Sequence, residues 1–505
     1  MNTSGLRIYS TQDSDIQKIM EEEMADSKYI LHTKNTKGND VTAEAAAVVI
    51  DPATGYVVGA VGQLGEKTTS RGLNRINRPR QTGSAIKPLS DVLPGIEEGI
   101  ITPATIYLDT RTTFGGTWTP KNYNRYTGKR TVRSALTTSQ NIPFVKIQAE
   151  LTPKKGLEYL KKMGVSTLDD EKDNNLAAVA IGGFTYGISP LEMAAAYAMI
   201  SNDGVYIKPT FYTKAVDSNG NTILAPSQPT ERVCSEQTAY VLKDLMKSVV
   251  NDAEGTATYA RISGMDLAAK TGTTNGDKER WLCGFTNYYA CAVFYGFDES
   301  LTITKTSRQS SGSIFTNIMK EIHSGLESSS FKQPDGIISA RVCTTSGLLA
   351  SDKCSNTYSE IFIEGKLPET CDAHTSSYTI CTDSGLLANQ YCPESSRKVE
   401  EVGYVVEKER LGLWNTPSVE KNSSAPTEYC TIHKAPEEKP TESTKPTEST
   451  KPTESTKPTE STKPAENTSS TKPTETTKPT ESTKPSEDET TPTPDLPEED
   501  TNTEE

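Results

Sequence analysis

Arg80-Gln-Thr-Gly-Ser-Ala-Ile-Lys-Pro88 is the stretch on which the reading of this chain turns. Pro88 lacks a backbone N–H, so a helix accepts it only near its start, where that group has no partner to lose. The proline therefore places Ser84 at a helix N-terminus. Ser84 and Lys87 stand three residues apart, which puts a hydroxyl and an amine on one side of the first turn. An amine so placed can take the hydroxyl proton and make Ser84 a nucleophile. The helix N-terminus favours the negative charge that then develops. Spacing alone is background here: Ser329/Lys332, Ser395/Lys398, Ser418/Lys421 and Ser469/Lys472 share it. What distinguishes Ser84 has to come from the rest of the chain.

Upstream, residues 1–44 are polar, with a strand expected within Gly5–Asp13 and a helix over Asp15–Ala25. Ala45–Ile50 and Tyr56–Val61 are β-prone runs flanking the turn residues Asp51-Pro-Ala-Thr-Gly55, which predicts a hairpin. Downstream, Val132–Glu150 reads as helix broken at Ser139-Gln-Asn-Ile-Pro143, with Pro143 biasing Ile142 away from helix. Ser189-Pro-Leu-Glu192 is a capping box for a helix through Ile200, and Ser235–Val250 is amphipathic. Met265–Thr274 reads as a strand. Arg280–Phe285 and Ala290–Phe297 form a strand pair turning at Thr286–Tyr289, across which Cys283 and Cys291 are expected to face each other. Strands at both ends of a helical block predict an α+β fold: one antiparallel sheet of sequence-distant strands packed with helices.

The chain has 505 residues and a formal net charge of −14, but its acidity is concentrated at one end. From Ala435 onward there are 8 Lys and 18 Asp/Glu, a net of −10, in Lys-Pro-Thr-Glu-Ser-Thr repeats. That leaves −4 for residues 1–434, a near-neutral balance in which nothing suggests a nucleic-acid-binding surface. The repeats bury too little apolar surface to fold, so residues 431–505 are expected to be a disordered tail. Before it, Ala340–Cys354 is repeated as Tyr378–Cys392 with identical Cys spacing, in a Cys-rich module spanning 336–430. No Cys-x-x-Cys pair occurs, so a zinc module fits poorly. An oxidising, extracytoplasmic setting and bridges Cys343–Cys354, Cys381–Cys392 and Cys371–Cys430 are expected instead. No signal peptide or apolar run of membrane-spanning length is visible.

Three short motifs occur in order: Ser84-x-x-Lys87, Ser139-x-Asn141 and Lys270-Thr-Gly272. Each has a bland alternative (a solvated helix start, an ordinary turn, a strand end). Together they supply complementary parts of one acyl transfer. Ser84 attacks a carbonyl, and Lys87 is its base if burial and the charge of Lys270 lower its pKa. Ser139 relays a proton to the leaving amine, and Asn141 holds a substrate amide. Lys270, Thr271 and Thr273, around Gly272, bind a terminal carboxylate. The N–H groups of Ser84 and Thr273 form an oxyanion hole.

From about Gly5 to Gly325 the chain resembles the transpeptidase domain of class A (bifunctional) penicillin-binding proteins. The likeness runs through Arg80–Leu89, Pro120-Lys-Asn-Tyr-Asn124, Arg133–Pro143, Gly182–Tyr197 and Ala269–Thr274. It implies a serine β-lactamase/penicillin-binding transpeptidase-like fold over 45–330, with 1–44 as the segment joining it to a preceding domain. It also implies D,D-transpeptidation in cell wall biogenesis. Ser84 would be acylated by the penultimate D-Ala of a peptidoglycan stem peptide, and β-lactams would trap it. No metal or organic cofactor is implied. Class A proteins carry a membrane anchor and a glycosyltransferase domain ahead of this region. The resemblance therefore implies the extracytoplasmic face of a bacterial membrane, reached through an upstream anchor, with cell-wall or divisome/elongasome partners. D,D-carboxypeptidases and serine β-lactamases share the three motifs. A non-catalytic β-lactam sensor or wall-binding module is the alternative outside enzymes.

Overall fold

The computed structural model describes residues 5–67, 71–304, 310–374, 377–401, 413–415 and 426–435. At its centre is a five-stranded antiparallel sheet built from two distant parts of the chain. The first part is the hairpin β1 (Glu44–Asp51) and β2 (Tyr56–Val61). The second is β3 (Ala268–Thr273), β4 (Glu279–Phe285) and β5 (Ala290–Gly296). The spatial order is β3-β4-β5-β1-β2. The two parts join where β5 pairs with β1, Val293 opposite Ala47. β5 is buried at every residue and β1 at all but its ends. Both therefore read as continuous apolar runs rather than alternating ones, because the sheet is covered on both faces.

The covering helices begin where their sequences say they should. α1 (Ser14–Ala25) is capped by the Asp13 carboxylate and buries Ile16, Met20 and Met24. The segment 1–44, expected as a joining segment, thus contributes a packed helix to the core, beside β2 and the last helix. α2 (Ile142–Leu151) carries Pro143 at its second position. Here the expectation needs correcting: Ile142 is helical. Pro143 lies in the first turn, where its missing N–H costs nothing, so the helix opens at Asn141 instead of being pushed back. α3 (Pro190–Ser201) has the full capping box between Ser189 and Glu192 and is buried almost throughout against β5 and β1. α4 (Glu236–Asn251), capped by Ser235, packs against β3, and α5 (Ser310–Ile322) against β5.

The turn between β4 and β5 pairs Phe285 with Ala290, so Cys283 lies opposite Ala292 and Cys291 opposite Gly284. A one-residue offset sends two side chains to opposite faces. Cys283 and Cys291 therefore do not face each other, and both are buried free thiols.

The Cys-rich module consists of two hairpins: β6 (Ile337–Cys343) with β7 (Thr357–Ile363), and β8 (Ser377–Cys381) with β9 (Arg397–Glu401). It continues to His433, past the expected limit of 430. None of the three expected disulfides is formed; all nine cysteines are free. Cys371 gathers with Cys343 and Cys354, and Cys430 with Cys381 and Cys392, so the expected Cys371–Cys430 pair is split between two clusters. The expected disordered tail falls outside the described residues beyond Ala435. No described helix is long and apolar enough to cross a membrane.

Candidate active site

Ser84 lies on a single 3-10 turn, Gly83–Ile86, followed at Pro88 by a wider π turn and then the short helix Leu93–Glu97. Pro88 is the first residue of the π turn, the position its missing N–H permits. Gly83 has φ +52, and a Cβ there would sit 2.5 Å from the Thr273 carbonyl oxygen. From the other side, a Cβ on Gly272 would sit 2.3 Å from the Thr82 carbonyl oxygen. Only two glycines let the Ser84 turn and the end of β3 touch backbone to backbone. The turn is held by two buried side chains. Tyr197 on α3 donates to the Ala85 carbonyl at 2.7 Å, and Trp281 on β4 donates to the Gln81 carbonyl at 2.8 Å.

The Ser139-x-Asn141 motif arrives from the gap between the helix Val132–Thr137 and α2. Ser139 has φ +58, a left-handed conformation that costs a side-chain-bearing residue of order 1–3 kcal/mol. The strain turns its hydroxyl towards β3, where Lys270 Nζ donates to Ser139 Oγ at 2.8 Å and to the Thr271 carbonyl at 3.0 Å. Lys87 Nζ donates to the carbonyls of Ser139 (3.1 Å) and Gln140 (2.8 Å) and to Asn141 Oδ1 (2.8 Å). Three acceptors surround the amine, of which a neutral amine can serve two while its lone pair stays free. The Ser84 hydroxyl, half-buried, has no hydrogen-bond partner among the described residues. The structure thus brings Ser84, Lys87, Ser139, Asn141 and Lys270 to one place, with Lys87 turned towards the 139–141 turn.

Both lysines are fully buried, and burial disfavours their charged forms. Burial, and secondly the charge of Lys270, pulls Lys87 well below the ordinary lysine range. Burial alone pulls Lys270 down to about 7. The first group is therefore prepared to give up its proton. The second stands near half charge at neutral pH, and an arriving carboxylate would favour its cationic form.

Residues outside the three motifs complete the support. Asn122 Oδ1 accepts from the Asn141 backbone N–H at 2.8 Å, and the Lys121 carbonyl accepts from Asn141 Nδ2 at 2.7 Å. Asn122 in turn donates to the buried Asp109 carboxylate at 2.7 Å. The Pro120–Asn124 loop thus fixes the amide of Asn141 so that its oxygen meets Lys87. Asp109 carried no local signal, because its importance comes from a contact thirteen residues away. Thr271 Oγ1 is engaged with Thr256 Oγ1 at 2.8 Å, which leaves Thr273 as the exposed hydroxyl at the end of the strand. A cleft of about 360 Å3 opens at that end, lined by Gln81, Tyr186, Thr274 and Glu279 among others.

Comparison with known proteins agrees with this geometry. The family described as "Penicillin binding protein transpeptidase domain" matches residues 45–320. That described as "Penicillin-binding protein 1A, C-terminal domain" matches 333–376. Penicillin-binding protein 1A of Clostridium tetani is 34% identical over 399 residues, covering 74% of this chain and 50% of the relative. Penicillin-binding protein 1F of Bacillus subtilis is 35% identical over 303 residues, covering 59% and 40%. The chain spans about half the length of the curated relatives it matches. Among solved structures, penicillin-binding protein 1A from Haemophilus influenzae superposes with TM-score 0.61 at 19% identity, covering 72% of this chain and 73% of that one. The PonA1 protein from Mycobacterium tuberculosis in complex with penicillin V gives 0.56 at 22% identity, covering 66% and 90%. These two share the fold. The transpeptidase match covers more than half of the chain, and the chain belongs to the penicillin-binding protein transpeptidase family.

Proposed function

We propose that this chain carries the acyl-transfer site of a D,D-transpeptidase that cross-links peptidoglycan stem peptides. The observation that supports the reading is the buried hydrogen-bonded run from Lys87 through Ser139 to Lys270, beside a Ser84 hydroxyl with no partner among the described residues. Two amines buried with no carboxylate hydrogen-bonded to them among the described residues serve stability poorly. Perturbed groups of this kind mark chemistry.

In the proposed reaction Lys270 and the Thr273 hydroxyl hold the terminal carboxylate of a D-Ala-D-Ala stem, and Asn141 holds its amide. Lys87, neutral, takes the Ser84 proton as Oγ attacks the carbonyl of the penultimate D-Ala. The oxyanion is held by the N–H groups of Ser84 and Thr273, and their preorganisation is supported by the close packing at Gly83 and Gly272. The C–N bond breaks as the proton taken up by Lys87 is relayed through the Ser139 hydroxyl to the departing D-Ala amine, which leaves Lys87 neutral and Ser139 unchanged. The acyl group stays on Ser84 until the amine of a neighbouring stem attacks it. A β-lactam acylates Ser84 in the same way, but its leaving amine stays tethered, so the adduct persists. We assign this chain to the extracytoplasmic face of a bacterial membrane, where peptidoglycan is cross-linked; its likeness to penicillin-binding protein 1A supports that reading.

The test is incubation with a D-Ala-D-Ala-terminated stem peptide, with and without an amine acceptor. Release of D-Ala accompanied by acceptor-dependent dimer is expected. Release that only yields hydrolysed peptide would reassign the site to a carboxypeptidase. Rapid multiple turnover of penicillin would reassign it to a β-lactamase.

A further inference from the structure

The two hairpins after residue 336 share the backbone hydrogen bonds that set their cysteines. The N–H groups of Cys343 and Cys381 reach the carbonyls of Leu348 and Leu386, both at 2.8 Å. The N–H groups of Cys371 and Cys430 reach Leu349 and Leu387, both at 2.7 Å. Leu349 and Leu387 bridge in turn to the residue preceding the third cysteine, Thr370 and Tyr429. The connections differ greatly in length: 17 positions from Cys354 to Cys371 but 38 from Cys392 to Cys430. Two different connections nonetheless deliver the same four donors to the same place. Sγ of Cys343, Cys354 and Cys371 and a ring nitrogen of His374 lie within 4.8 Å of one another. Those of Cys381, Cys392, Cys430 and His433 do the same.

Four donors bound about 2.0–2.3 Å from a tetrahedral zinc would lie roughly 3.5 Å apart. Cys343 Sγ is 3.3 Å from His374 Nε2, and His433 Nδ1 is 3.4 Å from Cys381 Sγ and 3.5 Å from Cys430 Sγ. The surroundings are those of ligated thiolates. Ser346 Oγ donates to Cys371 Sγ at 3.1 Å, and the N–H groups of Thr345 and Ser351 donate to Cys343 and Cys354, each at 3.4 Å. His433 turns its other nitrogen, Nε2, to Asp383 at 3.5 Å, which is how a carboxylate orients a metal-bound imidazole. A disulfide would use two of three thiols in each copy and leave a cysteine and a histidine idle. The first hairpin also packs Val342 and Phe362 on Ala104, but around each donor set the buried residues are mainly the cysteines themselves, a setting that a cross-link would hold together.

We propose that each copy is a structural zinc site. Cys343, Cys354, Cys371 and His374 hold one Zn2+, and Cys381, Cys392, Cys430 and His433 hold a second. Each thiol gives up its proton on binding and no electron is transferred, so each closed Cys3His site carries one net negative charge. The sequence signal is Cys-x-x-His, present as Cys371-Asp-Ala-His374 and Cys430-Thr-Ile-His433.

The experiment is metal analysis of the purified full chain by mass spectrometry, together with non-reducing peptide mapping. Two zinc ions per chain and no disulfides are expected. C354S and C392S should each lose one ion and the double variant both, with penicillin labelling of Ser84 retained as the check on the transpeptidase fold. Because a variant can unfold its hairpin for other reasons, the stripped wild-type chain is also titrated with Co2+. Tetrahedral thiolate-cobalt absorption saturating at two equivalents, and displaced by Zn2+, is expected. A metal-free chain with Cys343–Cys354 and Cys381–Cys392 bridges, or cobalt binding without thiolate charge-transfer bands, would overturn the proposal.

Discussion

The transpeptidase core and the C-terminal hairpins reach order by opposite means. The core encloses its apolar residues between a five-stranded sheet and helices on both faces, and it can bury two lysines inside that mass. The hairpins are two strands each: the first rests Val342, Phe362 and Ile337 on the core, and around the donor sets little but cysteines is buried. A large core tolerates costly buried charges and so can tune them, whereas a small one must be stapled. The same residue types therefore differ in meaning with context. Cys283 and Cys291 are packing in the core, while the six later cysteines are donors whose convergence defines the fold.

The comparison can be broken most severely at Lys87. If the buried amine is the base of the core site, Lys87→Ala should slow acylation by penicillin by about 10²–10⁴-fold. Stopped-flow acylation rates within a factor of a few of wild type would remove that role. Next in size is the seam between the two regions. Burial opposes the charge of Arg133, but Glu360 on β7 and Asp244 on α4 more than offset this and hold its pKa up. Its guanidinium pairs with Glu360 at 2.5 Å, and the Glu360 side chain is only 4% exposed. Arg133→Ala should cost about 3 kcal/mol in chemical denaturation, since it leaves a buried carboxylate alone. A loss under about 0.5 kcal/mol would mean that the hairpin merely rests on the core. Smallest is a shift in pH dependence. Acylation should rise with pH as Lys87 loses its proton. Lys270 is the second cause, after burial, of the low Lys87 pKa, so Lys270→Gln should move this ascending limb to higher pH. An unmoved or acid-shifted limb would uncouple the two lysines.

Much of this was legible in the sequence because the signals were local. The Asp51–Gly55 turn, the Ser189/Glu192 capping box and the Pro88 constraint each concern residues a few positions apart. The convergence of the three motifs was legible jointly: Lys87 meets Asn141, and Lys270 meets Ser139. Contacts between distant residues were not. The Asp109–Asn122–Asn141 support, the docking of Tyr197 on Ala85, and the offset that separates Cys283 from Cys291 are properties of register and packing. Pro143 misled because its effect depends on whether it sits in a first turn, which only the position of Asn141 decides. The cysteines misled because spacing suggested pairs, while folding gathers each trio around a histidine.

The central claim is that Ser84 is the acylated residue of this site. Intact-mass and peptide-map analysis of the chain after brief exposure to penicillin V tests it most directly, with Ser84→Ala in parallel. The account predicts one stable penicilloyl adduct per chain, mapped to Ser84, and none on the variant. An equal adduct on the variant, or one mapped to another serine, would contradict it.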